Sequence, residues 1–334
     1  MRTWIKRVWL LVTAAVLIVT LGACNGMGDD STIDLAQGDW ASHEFHNQIV
    51  AFILEEGYDK TVDITTADTP VVTQSLINGD LDVNVEMWSD NVATYDEDLE
   101  DGHYHEISVN FDDNYQGFYI PAYLQEDYPG LQTIQDLPDY KHLFEHPEIS
   151  GWDPDEDKAI IYGGPSGFAA TGFLQNKFEN EEDYGELIEH FDFWPLESTA
   201  TLNTTLTDAY ESEEPWVGYN WEPTWIMGLY DMVLLEDELE YSRDTHEEGV
   251  GNLPSQEVTV VVTDGFEERH PDVHAFLSHY ETSSELTSEG LAYMQENDVD
   301  ADEAAQWFLD EYEDLWTDWV PEDVEEDILS ALDE

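Results

Sequence analysis

Seventy-eight Asp and Glu against nine Lys and Arg give this 334-residue chain a formal charge of −69, and any fold it adopts must hold together against that self-repulsion. Three of the nine bases, Arg2, Lys6 and Arg7, fall within the first seven residues, so the remainder carries 78 acids against six bases, a balance of −72. Nucleic-acid binding starts from a basic footprint, which this chain lacks. An anionic membrane surface would repel it for the same reason. High charge with few aromatics would indicate disorder. Here hydrophobic residues make up 41% and aromatics 13%, with 12 Trp, 17 Tyr and 13 Phe, enough for a packed interior under an acidic coat. At molar salt the screening length shrinks to about 3 Å, so the acidity reads as adaptation to a salt-rich milieu rather than as an acidic binding surface.

Residues 1–24 run MRTWIKRVWLLVTAAVLIVTLGAC. A basic start, an apolar stretch from Val8 to Leu21 and a small-residue end make the tripartite pattern of an export signal, too short for a comfortable membrane span. The Leu21-Gly22-Ala23-Cys24 end resembles a lipoprotein processing site, with residues 1–23 removed and Cys24 lipidated. The chain has one Cys, so no internal disulfide can form although export is expected. Residues 24–31 read as a short tether. About 300 residues remain, enough for two lobes with cores of their own.

Beyond the tether, helix and strand patterns alternate. Ser42 to Glu56 places Phe45, Ile49, Phe52 and Ile53 on one helical face, with Ser42 as N-cap and Gly57 as stop. Thr61 to Thr65 reads as a strand, Val71 to Ile77 as a helix, and Leu81 to Met87 as an alternating strand that delivers Trp88. Further strands are expected at Gly117 to Ile120, Ala159 to Tyr162, Trp216 to Tyr219 and Val258 to Val262. Helices follow at Pro271 to Tyr280, Ser284 to Glu296, Ala301 to Asp318 and Glu322 to Leu332. The pattern predicts an α/β fold with mainly parallel sheets.

In such sheets ligands bind outside the carboxyl ends of the strands. Trp88 ends one strand, the Gly163-Gly164-Pro165-Ser166-Gly167-Phe168 turn ends another, and Tyr219 with Trp221 ends a third. Together they predict an aromatic-lined cleft. The turn also sets free backbone N–H groups at a helix N-terminus, a small anion site. With Lys60, Lys141, Lys158, Lys177, Arg243 and Arg269 as the only bases past residue 7, a strongly anionic ligand would lack counter-charges. A neutral, cationic or zwitterionic ligand fits better. A quaternary ammonium is held in an aromatic box by cation–π attraction of about 0.5–2 kcal/mol per favourable face.

Three segments carry a family resemblance: Val85-Glu86-Met87-Trp88-Ser89-Asp90-Asn91, the Gly-Gly-Pro-Ser-Gly-Phe turn, and Pro215 to Trp225 with its Trp221-x-Pro223-x-Trp225 core. They resemble the glycine betaine/proline betaine substrate-binding proteins of ABC transporters, and the likeness extends from Gly38-Asp39-Trp40 to the C-terminal helices. The resemblance implies a two-lobed type II periplasmic-binding-protein fold with the ligand cleft between the lobes. Lobe one would comprise residues 30–119 plus 258–334 and lobe two residues 120–257, hinged near Gly117–Ile120 and Val258–Val262. It further implies Trp88 and Trp221 as walls of the box, Phe168 where relatives often carry Trp, and backbone N–H groups of Ala169 and Ala170, beside Ser166 and Gly167, as carboxylate donors. Asn91 is the candidate donor where some relatives use His. Trp40 and Tyr219 would be further contacts, and Trp225 would line the site or pack behind it.

The implied function is an extracytoplasmic, lipid-anchored receptor that delivers a betaine to an ABC permease for osmoprotection, without a cofactor or metal. A choline or carnitine binder is the alternative within the same class, and an exported halophilic glycoside hydrolase using Trp platforms and two carboxylates is the alternative from the enzyme class. His103 and His105 share a strand face without a third metal ligand at a defining spacing. The aromatic series from Trp307 to Trp319 reads as core. If the acid coat is an adaptation to salt, the denaturation midpoint rises steeply between dilute buffer and molar salt; full stability in dilute buffer, measured by thermal unfolding, would overturn that reading.

Overall fold

Two segments far apart in the chain, Val83-Asn84-Val85 with its alternating valines and the β-branched run Val258 to Thr263, become neighbouring strands, and this pairing organises the molecule. The computed structural model describes residues 31–146 and 158–333. The export segment, Cys24 and the tether up to residue 30 lie outside the described residues.

The first sheet contains β1 (Thr32–Gln37), β2 (Thr61–Thr66), β3 (Val83–Trp88), β4 (Tyr104–Phe111) and the late-arriving β10 (Val258–Thr263), in the order β2-β1-β3-β10-β4. β10 runs antiparallel between β3 and β4. The second sheet contains β5 (Gln116–Pro121), β6 (Ala159–Pro165), β7 (Phe191–Leu196), β8 (Gly218–Trp221) and β9 (Met232–Leu234), in the order β7-β6-β8-β5-β9. Both sheets therefore follow one scheme: second, first and third parallel strands, then a strand from the other side of a lobe crossing, then the fourth. This two-lobed arrangement is the type II one expected. β3 and β10 are buried on both faces except at Trp88, as strands in the middle of a covered sheet should be.

Hydrogen bonding corrects the lobe boundary. Residues 116–119, expected in lobe one, lie in β5, which pairs with β8 and β9 of the second sheet. Gly117–Ile120 was expected to cross between the lobes as a hinge strand, but β5 is inserted between strands of the second sheet that follow it. The first crossing segment is thus residues 112–115, and the expected hinge strands are sheet members instead. The second crossing leads into β10, and Asn114 ties the two together: its Nδ2 donates to Gln256 O at 2.6 Å and its Oδ1 accepts from Gln256 N at 3.1 Å.

Each lobe has its own core. Phe45, Ile49, Val83, Val260, Phe308 and Trp316 are buried in the first cluster, with Trp307, Tyr312 and Leu315 packed against it. Phe118, Phe173, Phe191, Leu206 and Trp216 are buried in the second. Full burial of such a side chain stabilises by roughly 1.5–3 kcal/mol. β1 was not expected from the sequence, although Ile33 and Leu35 alternate with polar neighbours in a readable strand pattern. The helix that follows covers Ala41–Phe52 and takes Trp40 as its N-cap; Ser42, expected at the cap, lies inside the first turn. No helix among the described residues is long and apolar enough to cross a membrane.

One of the few bases anchors the helix behind the Gly-rich turn. Lys177, last residue of the Ala169–Lys177 helix, is fully buried and donates to Asp237 Oδ2 at 2.7 Å, Tyr184 Oη at 2.8 Å and Gly251 O at 2.9 Å. Burial opposes ionisation of Asp237, but the ammonium and the hydrogen bonds outweigh it and its pKa falls. Removing one partner of such a pair leaves an uncompensated charge. Lys177→Met should lower unfolding free energy by about 3–5 kcal/mol in chemical denaturation at high salt; a loss of about 1 kcal/mol, as for a surface pair, would show the ammonium to be dispensable.

Candidate functional site

The topology repeats in the site. In each lobe the first parallel strand ends in a loop whose last residue is an aromatic N-cap: Trp40 after β1 and Phe168 after β6, with extended backbones that turn into the Ala41–Phe52 and Ala169–Lys177 helices. In each lobe the third strand ends on a Trp, Trp88 in β3 and Trp221 in β8. Four aromatic side chains thus sit at the carboxyl ends of parallel strands, where α/β sheets bind ligands. Trp40 is 37% and Phe168 40% exposed. Phe168 meets Trp221 edge to face at 6.0 Å, and Tyr219 stacks on Trp221 at 5.6 Å. Among the described residues, no ring contact joins Trp40 or Trp88 to Phe168 or Trp221.

The lobe-one half is held by a carboxylate. Glu86, two residues before Trp88 and on the same strand face, is 1% exposed. Its Oε1 accepts from Trp40 Nε1 at 2.7 Å, Trp88 Nε1 at 3.0 Å and Ser42 Oγ at 2.8 Å. Burial pushes its pKa up to about 7, against the opposing pull of those hydrogen bonds. Trp40 also folds over Gly38, where an added Cβ would lie 1.9 Å from the indole. Gly38 N donates to His43 Nδ1 at 2.8 Å. Burial drives the pKa values of both His43 and His46 down to about 3, leaving them neutral. His46 lies 2.7 Å from Tyr280 Oη and stacks on Phe111, against whose ring Trp88 sets its edge.

The lobe-two half adds backbone dipoles. Ser166, Gly167, Phe168 and Ala169 are exposed and Ala170 is buried. Phe168 N is used by Pro165 O at 2.9 Å, whereas the N–H groups of Ala169 and Ala170 belong to the first helical turn, which has no intrahelical acceptors for them. Thr171, 1% exposed, has a hydroxyl beside them without a hydrogen-bond partner among the described residues. Such an N-terminus favours a carboxylate.

The structure sets Trp40 with Trp88, and Phe168 with Trp221 and Tyr219. Asn91 is exposed at the end of the Ser89–Asn91 turn. Trp225 opens the Trp225–Leu229 helix, touches both hydrophobic cores and lies 6.4 Å from Tyr230. That helix packs on the Ser284–Asn297 helix, where Gly228 meets Ser288 O closely enough to exclude a Cβ. Sequence reasoning missed Glu86, although its register with Trp88 was readable. Gly38→Ala should displace the Trp40 indole from Glu86: near-ultraviolet circular dichroism changes while the far-ultraviolet spectrum stays, and an unchanged near-ultraviolet spectrum would contradict the tight contact.

A family model described as the substrate binding domain of ABC-type glycine betaine transport system matches residues 31–311. A glycine betaine/carnitine transport binding protein of Listeria monocytogenes is 30% identical over 134 residues, 39% of this chain and 41% of that protein. The chain thus matches about two fifths of that relative's length. A lactococcal protein in its closed-liganded conformation with glycine betaine superposes with a TM-score of 0.60 at 18% identity, over 87% of this chain and 100% of that one. A choline binding protein in complex with choline gives 0.59 at 19%, over 90% and 98%. A glycine betaine/L-proline-binding protein from Borrelia burgdorferi gives 0.57 at 18%, over 89% and 99%. At these identities the structural likeness concerns the fold.

Proposed function

We propose a function from one premise: the chain belongs to the family of substrate-binding domains of ABC-type glycine betaine transport systems. Its role is that of an extracytoplasmic receptor that binds glycine betaine or a related quaternary ammonium solute and presents it to an ABC permease. The observation that carries the reading is the doubled half-site: Trp40 and Trp88 on one lobe, Phe168 and Trp221 on the other, each pair at carboxyl strand ends.

The mechanism follows from the parts. A quaternary ammonium cannot donate hydrogen bonds, so ring faces and a diffuse negative potential are what can recognise it. Its carboxylate, in a betaine, takes the N–H groups of Ala169 and Ala170. Movement at residues 112–115 and at the Asn114–Gln256 tie brings the lobes together, and ligand contacts available only in the closed form shift the population towards it. The permease reads that closed form. Lipidation at Cys24 would hold the receptor at the outer face of the membrane, and the acid coat would keep it working at high salt; both are parts of this proposal that rest on the sequence.

Choline and carnitine remain competitors within the class. Choline carries the ammonium but no carboxylate, so it would leave the Ala169 and Ala170 N–H groups without a partner and bind less tightly than glycine betaine. The family is one of transport receptors and lends no support to the glycoside hydrolase alternative. Calorimetry in molar salt checks the assignment. Trp221→Ala, which removes a ring face and the platform of Tyr219, should weaken glycine betaine binding by more than about tenfold; an unchanged affinity would remove Trp221 from the site.

A further inference from the structure

In lobe two, the residue two positions before the strand-end Trp is Tyr219, which stacks under Trp221. In lobe one the same position holds a carboxylate, Glu86. We propose that Glu86 is the positioning residue of the lobe-one half-box: one oxygen fixes the planes of both indoles, and the carboxylate charge tunes that half towards a quaternary ammonium. The inference rests on the proposed function and names a residue that controls it.

Three lines of geometry carry it. First, Trp40 and Trp88 come from different elements, and their Nε1 atoms converge on the same Oε1. Trp40 is more than a third exposed and so has little packing to hold it; the hydrogen bond, with the tight seat on Gly38, sets its plane. Second, an indole that donates to an anion gains electron density over its ring, which strengthens the attraction of that face for a cation. Third, Oε2 is buried with no hydrogen-bond partner among the described residues. The carboxylate is therefore compensated by three donors on one side alone, and a nearby cationic ligand supplies the missing stabilisation.

This arrangement couples affinity to protonation. The titratable neighbours are Tyr280, whose phenol is pushed well up by burial and then by Glu86 itself, His46, within hydrogen-bond distance of Tyr280, and His43, in ring contact with Trp40. Both histidines titrate near 3, so Glu86 is the member of the cluster that titrates near neutrality. In the free receptor its pKa is raised to about 7, and a bound cation lowers it. Affinity is then greatest above pH 7 and falls as the pH drops through that value, because protonation must be reversed for the cation to bind at full strength.

The test is calorimetric titration of the exported chain in molar salt with glycine betaine and with choline, between about pH 5.5 and 8.5, using wild type, Glu86→Gln and Ser42→Ala. Wild type should lose affinity for both on acidification. Glu86→Gln should bind about tenfold or more weakly at the alkaline end and show a flat profile. Ser42→Ala, which removes one donor from the ionised carboxylate, should move the wild-type midpoint to higher pH; it keeps the question answerable if Glu86→Gln fails to fold. A wild-type profile retained in both variants would overturn the inference while leaving the function intact. A wild type that binds neither compound at any pH would instead overturn the function, and the inference with it.

Discussion

Everything in this molecule depends on an exchange of strands. β10 reaches the first sheet after the chain has built the second lobe, and β5 enters the second sheet before most of that lobe exists. Each lobe is thus closed by a strand that joins it directly to a crossing segment. The crossings lie side by side and are joined by the paired hydrogen bonds of Asn114 to Gln256. Because the exchanged strands run antiparallel to their neighbours, the parallel strands β1, β3, β6 and β8 are free to present their carboxyl ends to the cleft. The Trp225–Leu229 helix adds a third connection, seated on Ser288 through Gly228 and through Thr224 N, 3.3 Å from Ser288 Oγ.

The charge balance sets a second constraint. With 78 acids in the chain, each base has a choice of partners, and two of the bases are committed to structure. Lys177 is sealed against Asp237, and Arg269 donates to Asp82 at 2.9 Å, a residue whose other carboxylate oxygen accepts from Asp34 N. None of the aromatic half-sites contains a Lys or Arg. An anionic group there meets backbone N–H groups and uncharged hydroxyls such as that of Thr171 in place of a cationic side chain.

Much of this was readable from residues. Val83-x-Val85-x-Met87 alternates and delivers Trp88, and Glu322–Leu332 forms over the range its periodicity predicts. The strand-end aromatics were legible because an alternating strand delivers Trp88, a Gly-rich turn leads into Phe168 and a Pro-containing turn follows Trp221. What was not legible is long-range. Nothing local in Gln116–Pro121 says that it pairs with Gly218–Trp221 rather than with the strand before it, so the lobe boundary was misplaced. Ser42 is a residue type favoured at an N-cap, yet the cap falls on Trp40, and the Ser42 hydroxyl and the Trp40 indole both donate to Glu86. With 78 acids a single important carboxylate is hidden by its abundance; only burial distinguishes it.

The two half-sites follow one plan but differ in polarity, and that difference gives a zwitterion a direction. Lobe one puts a buried carboxylate behind its indoles. Lobe two puts the N-terminus of the Ala169–Lys177 helix beside its rings, where partial positive charge gathers. A betaine has its positive and negative ends a few bonds apart, so the orientation that sets the ammonium against Trp40 and Trp88 and the carboxylate against Ala169 and Ala170 is favoured at both ends, and the reverse is disfavoured at both. In the open form each half offers one favourable end. On the proposed mechanism closure would supply the second, so that the energy of aligning the ligand dipole would be gained in the same step that brings the lobes together. A ligand with only the cationic end gains half of that alignment, which would be a physical basis for preferring a betaine over choline.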